Sequence, residues 1–142
     1  MTERNRLIID TMYALWESGD LTAMMNCFSD DVVFAVTPPA PATFVGQGQG
    51  KPLLARRLAK FLSDHEVLDY RITSISVDGD WVDARVRYHY QHKKTGIDID
   101  GSMRHMWLVL NGKIVRLDVM HDGPRLGAYF KLSAQLGGAC AP

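Results

Sequence analysis

Two histidines near the end of the chain are the side chains best suited to acid/base chemistry. They lie in the stretch "SMRHMWLVLNGKIVRLDVMHDG" (102–123), which a turn at Asn111-Gly112 divides into two predicted strands, with His105 in the first and His121 in the second. An imidazole with a pKa of about 6.5 can take and return a proton near neutral pH. The two rings can act together only if they share one face, and the length of the turn decides this.

A two-residue turn would pair Leu110 with Lys113 and place His105 on the outer face, beside Asp118. A three-residue loop over 110–112, with Gly112 left-handed at a bulge, would pair Val109 with Lys113 instead and shift every facing pair by one residue. We favour the three-residue loop because it separates the charged side chains from the apolar ones. Its inward residues are Met103, His105, Trp107, Val109, Val115, Leu117, Val119 and His121.

His105 and His121 are therefore the candidate acid/base groups, and Tyr88 on the strand "WVDARVRYHYQH" is a candidate additional donor. Aromatic side chains at Trp16, Phe34, Tyr88 and Trp107 suit contact with an apolar or aromatic ligand. The alternative reading of each residue is a core side chain whose polar atoms are satisfied within the protein. No metal or cofactor is predicted, because two histidines without a third ligand leave a metal under-coordinated.

The elements that must position these residues follow from hydrophobic periodicity. An amphipathic helix with Leu7, Ile8, Thr11, Met12, Leu15 and Trp16 on its apolar face precedes a second helix that carries Leu21, Met24, Met25 and Phe28. The next predicted segments are a short strand at 32–36, an irregular Pro/Gly-rich loop at 37–49 that could act as a lid, a third helix from Pro52, four antiparallel strands from residue 67, and a last helix after Asp122-Gly123-Pro124.

Composition limits the class of protein. The 142 residues fit a single domain, 1–142, with a core at about 5–132 and a flexible tail at 133–142. Sixteen basic residues balance sixteen acidic ones, which predicts no nucleic-acid or membrane partner. We expect a cytoplasmic protein, because the N-terminus lacks the apolar run of a signal peptide, and we expect Cys27 and Cys140 to remain reduced.

The layout predicts an α+β fold with helices segregated on one side of an antiparallel sheet. The segments "ALWESGDLTAMMNCFSDDVVFAV" and "HMWLVLNGKIVRLDVMHD" resemble the nuclear transport factor 2-like superfamily. Its members include SnoaL-like polyketide cyclases, ketosteroid isomerase, limonene epoxide hydrolase and scytalone dehydratase. The resemblance covers roughly 5–132. It implies a cone-shaped curved sheet, also called cystatin-like, that is closed by helices around a deep apolar pocket in a homodimer.

The family's functional positions transfer only in part. The resemblance places the base of ketosteroid isomerase at Val36, its tyrosine at Met12 with Tyr13 one step away, and its neutral aspartate at His105. The aspartate of limonene epoxide hydrolase falls near Val119. Two functions remain open: a cofactor-independent isomerase, cyclase or dehydratase, or a non-catalytic module for binding a small molecule or for dimerisation. The residues expected to contact a ligand are Met12, Trp16, Phe34, Val36, Met103, Trp107, Leu117 and Val119.

Overall fold

The structure is a computed structural model that describes residues 2–37, 46–121, 128–129, 131–132 and 135–136. Three helices and six strands lie within the first two of these ranges. In chain order they are α1 (Thr2–Ser18), α2 (Leu21–Met25), β1 (Phe28–Thr37), β2 (Gly48–Gln49), α3 (Lys51–Asp64), β3 (His65–Asp78), β4 (Trp81–His92), β5 (Asp98–Leu110) and β6 (Lys113–His121).

The six strands form one curved sheet in the order β2-β1-β6-β5-β4-β3, and the helices pack against its inner face. The α+β class and the antiparallel meander of four long strands are confirmed, because β3 to β6 pair with their sequence neighbours in antiparallel fashion. The expectation of a wholly antiparallel sheet is wrong. Strand β1 lies parallel to β6, and Phe34 is paired with Leu117. The long chain segment between these two strands makes the parallel pairing possible.

Two boundaries in the first half of the chain differ from the prediction. Helix α2 ends at Met25, so Phe28 begins strand β1 rather than lying on the helix, and residues 29–31 belong to the strand. The predicted irregular loop contains a short strand, because Gly48 and Gln49 pair with Phe34 and Val33 of β1. Residues 38–45 of that loop, and with them most of the suggested lid, lie outside the described residues.

Helix α1 buries only part of the predicted face: Met12 is in the core and Ile8, Leu15 and Trp16 pack against it, as predicted. Its buried residues are Asn5, Ile9, Met12 and Tyr13, whereas Leu7 is 64% exposed. The buried positions still follow helical spacing, but the face begins with a polar residue. Asn5 is buried with a partner, since its Nδ2 donates to the backbone oxygen of Gly79 at 3.3 Å. The helix is therefore turned so that Tyr13, and not Leu7 or Thr11, faces the sheet.

Strand β4 follows the predicted alternation. Its inward side chains are all buried, and its charged residues face the other way. Helix α3 begins with Pro52 in its first turn and buries Leu54, Leu58 and Phe61 against this inner face.

The remaining described residues, 128–129, 131–132 and 135–136, have helical backbone, in agreement with the predicted last helix. Its proposed entry at Asp122-Gly123-Pro124 lies outside the described residues, as does Cys140. Cys27 is a free thiol. No helix in the described part of the chain is both long enough and apolar enough to cross a membrane.

Candidate functional site

The hairpin that carries the two histidines has a two-residue turn. Asn111 and Gly112 have φ values of 52° and 78°, as a type I′ turn requires, and Leu110 pairs with Lys113. The predicted three-residue loop is therefore wrong. However, the pairing of the two strands shifts by one residue close to the turn. Val109 pairs with Ile114, but Leu108 pairs with Arg116. Val115 therefore forms a bulge in β6.

The bulge at Val115 restores the predicted facing. Beyond it, His105 lies opposite Val119, and Met103 lies opposite His121. An extra residue in one strand exchanges the two faces of everything beyond it. Both imidazoles consequently point to the inner side of the sheet, although the turn is of the kind that was expected to send His105 outward. Of the residues expected to point inward, only Val115 does not, and the fully buried Ile114 points inward in its place.

The inner side of the sheet encloses a cavity of about 80 Å³. That volume is several times the roughly 10–15 Å³ that one ordered water needs. Both candidate histidines line it, together with seven of the eight residues expected to contact a ligand: Met12, Trp16, Val36, Met103, Trp107, Leu117 and Val119. None of the described lining residues carries a carboxylate, a lysine or an arginine.

Two candidates do not line the cavity. Phe34 is buried on the inner side, but its ring packs next to Gly48 of β2. Tyr88 is also buried, and its hydroxyl lies against Gly101, with its ring 6.1 Å from that of His121. Tyr88 therefore supports the cavity wall behind His121 instead of providing a donor inside the cavity.

The sequence analysis did not select Tyr13, which is the closest polar neighbour of His105. The Tyr13 hydroxyl lies 2.7 Å from Nδ1 of His105, and it accepts a hydrogen bond of 2.9 Å from the indole N–H of Trp107. All three residues line the cavity and are at most 6% exposed. The signal that could have found Tyr13 is the series Ile9, Met12, Tyr13 and Trp16, which has helical spacing.

Further aromatic residues that were not predicted complete the lining. Tyr70, Tyr90 and Phe61 face the cavity. The ring of Tyr70 lies 6.3 Å from that of Tyr13 and 6.1 Å from that of Trp16, at the distances of favourable ring contacts. Burial raises the pKa of the Tyr70 and Tyr13 phenols well above the usual range, so both stay protonated.

Burial also keeps both cavity histidines neutral. The pKa of His105 is lowered to about 3, first by desolvation and then by the nearby His121. The pKa of His121 is lowered to about 4 by desolvation. A low-dielectric environment disfavours the imidazolium form, and no described carboxylate lies in the cavity to offset this effect. At neutral pH each ring therefore has one N–H donor and one acceptor nitrogen.

A second buried polar cluster lies at the other end of the meander, outside the cavity. Nε2 of His65 lies 2.7 Å from the hydroxyl of Tyr129, and the His65 ring stacks on Phe61 at 4.8 Å and meets His92 at 5.2 Å. Burial, followed by the neighbouring His92, lowers the pKa of His65 to about 4. This cluster ties the C-terminal helical residues to the start of β3.

Metal coordination is not a feature of the described residues, among which no group of three or more His, Cys, Asp or Glu side chains is placed to hold an ion. His89 and His92 face opposite sides of β4: His92 is buried, while His89 lies 2.7 Å from Asp98 on the outer side. The site is thus an apolar and aromatic cavity whose polar groups are two imidazoles, several phenols and two indoles.

Comparison with known proteins identifies the family of this chain. The family model described as "SnoaL-like domain" matches residues 9–117, which is most of the chain. The chain belongs to the SnoaL-like domain family. The matched span contains every described cavity-lining residue except Val119 and His121, which follow its end. No curated protein matches this SnoaL-like chain.

Solved structures share the fold at low sequence identity. An NTF2-like protein from Burkholderia xenovorans LB400 is 18% identical, with a TM-score of 0.77 over 90% of this chain and 96% of that one. A protein named as a SnoaL-like polyketide cyclase from Mesorhizobium loti is 22% identical, with a TM-score of 0.67 over 80% and 96%. A ketosteroid isomerase-like protein from Catenulispora acidiphila DSM 44928, in complex with trimethylamine, is 16% identical, with a TM-score of 0.70 over 92% of each chain. These similarities show that the chain shares its fold with these proteins.

Proposed function

We propose that this SnoaL-like domain binds one small, uncharged, largely apolar molecule in the cavity between the sheet and helices α1 and α3. The observation that carries the proposal is the chemistry of the lining: apolar and aromatic side chains surround two neutral histidines, and no described lining residue is charged at neutral pH. An ionic ligand would lose its hydration without gaining an opposite charge. A neutral ligand gains apolar contact and finds hydrogen-bonding groups at the histidines.

The cavity volume limits the size of the ligand. An engineered apolar cavity of about 150 Å³ is known to take up benzene. A cavity of about 80 Å³ is about half that size, so it suits a molecule of a few non-hydrogen atoms or the end of a longer molecule. We therefore take acetone as a representative neutral probe and use charged molecules of similar size as its comparison.

Acid/base turnover is the second candidate function. His121 lies opposite Met103 and His105 lies opposite Val119, so the two rings are diagonal neighbours on one face. A neutral ring at one position can accept a proton while the other donates a hydrogen bond to a carbonyl oxygen, which is what an isomerase or a dehydratase requires. The lowered pKa values make both imidazoles weak bases at neutral pH, so we rank this function second. Two proteins of the same fold carry the names of such enzymes: a polyketide cyclase from Mesorhizobium loti and an isomerase from Rhodopseudomonas palustris. Their names support an acid/base reaction as the second candidate.

The test is a binding panel followed by NMR on the ¹⁵N-labelled protein. Acetone, trimethylammonium and acetate are titrated separately, and the indole N–H of Trp107 serves as the reporter. We expect only acetone to shift this signal. Val119→Phe, which fills the cavity opposite His105, should abolish the shift, while His89→Gln on the outer face should preserve it. Equal or tighter binding of either ion would refute the proposal.

We further propose that the protein is a homodimer through the outer face of the meander. Trp81, Met106 and Met120 are half-buried on this face and adjoin two ion pairs, Arg104 with Asp83 and Arg116 with Asp118. Apolar side chains framed by paired charges suit a self-complementary contact.

A further inference from the structure

The hydrogen-bond chain Trp107–Tyr13–His105 has a direction, and that direction fixes what His105 can offer to a ligand. The indole N–H of Trp107 is a donor only, so the Tyr13 oxygen must accept from it. The hydroxyl hydrogen of Tyr13 then needs an acceptor. Among the described residues the one within reach is Nδ1 of His105, 2.7 Å away.

The opposite arrangement is less favourable. If Nδ1 of His105 carried the proton and donated to Tyr13, the buried Tyr13 hydroxyl hydrogen would have no acceptor among the described residues. A buried donor without a partner is costly, so the chain should run from Trp107 to Tyr13 to Nδ1. A neutral imidazole carries one N–H only, and in this arrangement it must be on Nε2.

We propose that Trp107 and Tyr13 are positioning residues that hold His105 as an Nε2–H hydrogen-bond donor toward the cavity, so that the site selects ligands with an acceptor oxygen. The ligand class rests on the proposed function: a ketone, an ether or an alcohol oxygen fits, whereas an alkylammonium group does not. Tyr13 is the only described residue that hydrogen-bonds to His105, so Nε2 remains available to a molecule in the cavity. Because the proton on Nε2 is set by two buried side chains, it should persist without a ligand.

The first measurement is the tautomer of His105 in the ligand-free protein, from its two ring-nitrogen chemical shifts in a ¹⁵N-histidine-labelled sample. We expect an unprotonated Nδ1 and a protonated Nε2. Tyr13→Phe removes the hydroxyl and should give a mixture of tautomers or the reversed one. Tyr70→Phe is the matched control. It removes another cavity hydroxyl, one that is not part of the Trp107–Tyr13–His105 hydrogen-bond chain, and should leave the tautomer unchanged. A protonated Nδ1 in the wild-type protein would overturn the inference.

The second measurement tests the selectivity. Acetone is compared with isobutene, which replaces the carbonyl oxygen by a CH₂ group of similar shape. One hydrogen bond should favour the ketone by about threefold to tenfold, and Tyr13→Phe should bring the ratio toward one. If neither molecule binds but Nε2–H is found, the proposed ligand fails while the donor assignment stands. If both bind equally although Nε2–H is found, the selectivity is refuted.

Discussion

The hydroxyl oxygen of Tyr13 lies 2.7 Å from Nδ1 of His105 and so joins helix α1 to strand β5 across 92 positions of the chain. The same oxygen accepts the Trp107 indole N–H at 2.9 Å. One phenol thus satisfies two buried polar groups of the sheet. It links the packing of the helix to the chemistry of the cavity, because the orientation of α1 decides whether the phenol reaches them.

Tyr13→Phe should destabilise the fold as well as change the tautomer. The substitution removes the partner of both the Trp107 N–H and His105, and leaving buried groups unpaired costs about 1–3 kcal/mol. Tyr70→Phe, whose hydroxyl makes no hydrogen bond within the described part of the chain, should cost clearly less. Urea unfolding at pH 7 measures both variants. Equal stability of the two would mean that the Tyr13 hydrogen bonds contribute nothing to the folded state.

The length of the hairpin turn can be tested at Asn111. Its φ of 52° lies in the left-handed region, which asparagine tolerates and alanine does not. Asn111→Ala should therefore lower the free energy of unfolding by about 1 kcal/mol, whereas Asn111→Gly should be close to neutral. If only Gly112 were left-handed, as a three-residue loop would require, the alanine variant would be as stable as the wild type.

Sequence patterns predicted the meander and most of the cavity lining because alternation determines which side chains share a face. They did not predict where the extra residue of the hairpin lies. A bulge at Val115 and a three-residue loop give the same facing of His105 and His121, so the charge pattern could not distinguish them. The prediction therefore placed both histidines on the correct face although it assigned the wrong turn. Ile114 rather than Val115 points inward.

The orientation of α1 was only partly predicted, for a different reason. The apolar pattern of Leu7 and Ile8 suggested one face, but the helix buries Asn5, whose side chain is satisfied by the backbone of Gly79. That partner lies 74 residues away, in the turn between β3 and β4, and no local pattern indicates it. The family resemblance, in turn, placed the tyrosine position at Met12, one residue before Tyr13, whose hydroxyl makes the hydrogen bonds to His105 and Trp107.

Gly101 should be intolerant of a side chain. A Cβ at this position would lie 2.8 Å from the hydroxyl oxygen of Tyr88 and 3.1 Å from its Cζ, and the Tyr88 ring is buried. Gly101→Ala should therefore cost about 1–3 kcal/mol through overpacking. The cost should fall when the alanine is introduced into a Tyr88→Phe background, which removes the closer contact. Additive effects of the two substitutions in urea unfolding would contradict this account.

The proposed dimer predicts a charge-sensitive interface. Light scattering should give a dimer mass for the wild type, and Met106→Lys in the middle of the outer face should give a monomer, because an unpaired charge would be buried there. Leu7→Lys on α1 is the matched control, since Leu7 is 64% exposed and away from this face. A monomer mass for the wild type would exclude the dimer, and an unaffected Met106→Lys dimer would exclude this face.

Acid should unfold the protein through its buried histidines. The pKa values of His65, His105 and His121 in the folded state are about 4, 3 and 4, below the ordinary 6.5. The unfolded chain therefore binds more protons than the folded chain between about pH 6.5 and pH 4. The stabilisation is fully present above pH 6.5 and is lost as the pH falls. Each histidine should contribute a slope of up to about 1.4 kcal/mol per pH unit.

Urea unfolding between pH 7 and pH 5 measures this slope, over a range where most carboxylates remain ionised. The wild type should take up close to three protons on unfolding near pH 5, and His105→Gln should take up about one fewer. His121→Gln should have the same effect, and the double variant should remove about two protons, because burial is the largest cause of each lowered pKa. Stability that does not change over this range would mean that water or an unrecognised partner lets the imidazoles ionise within the folded protein.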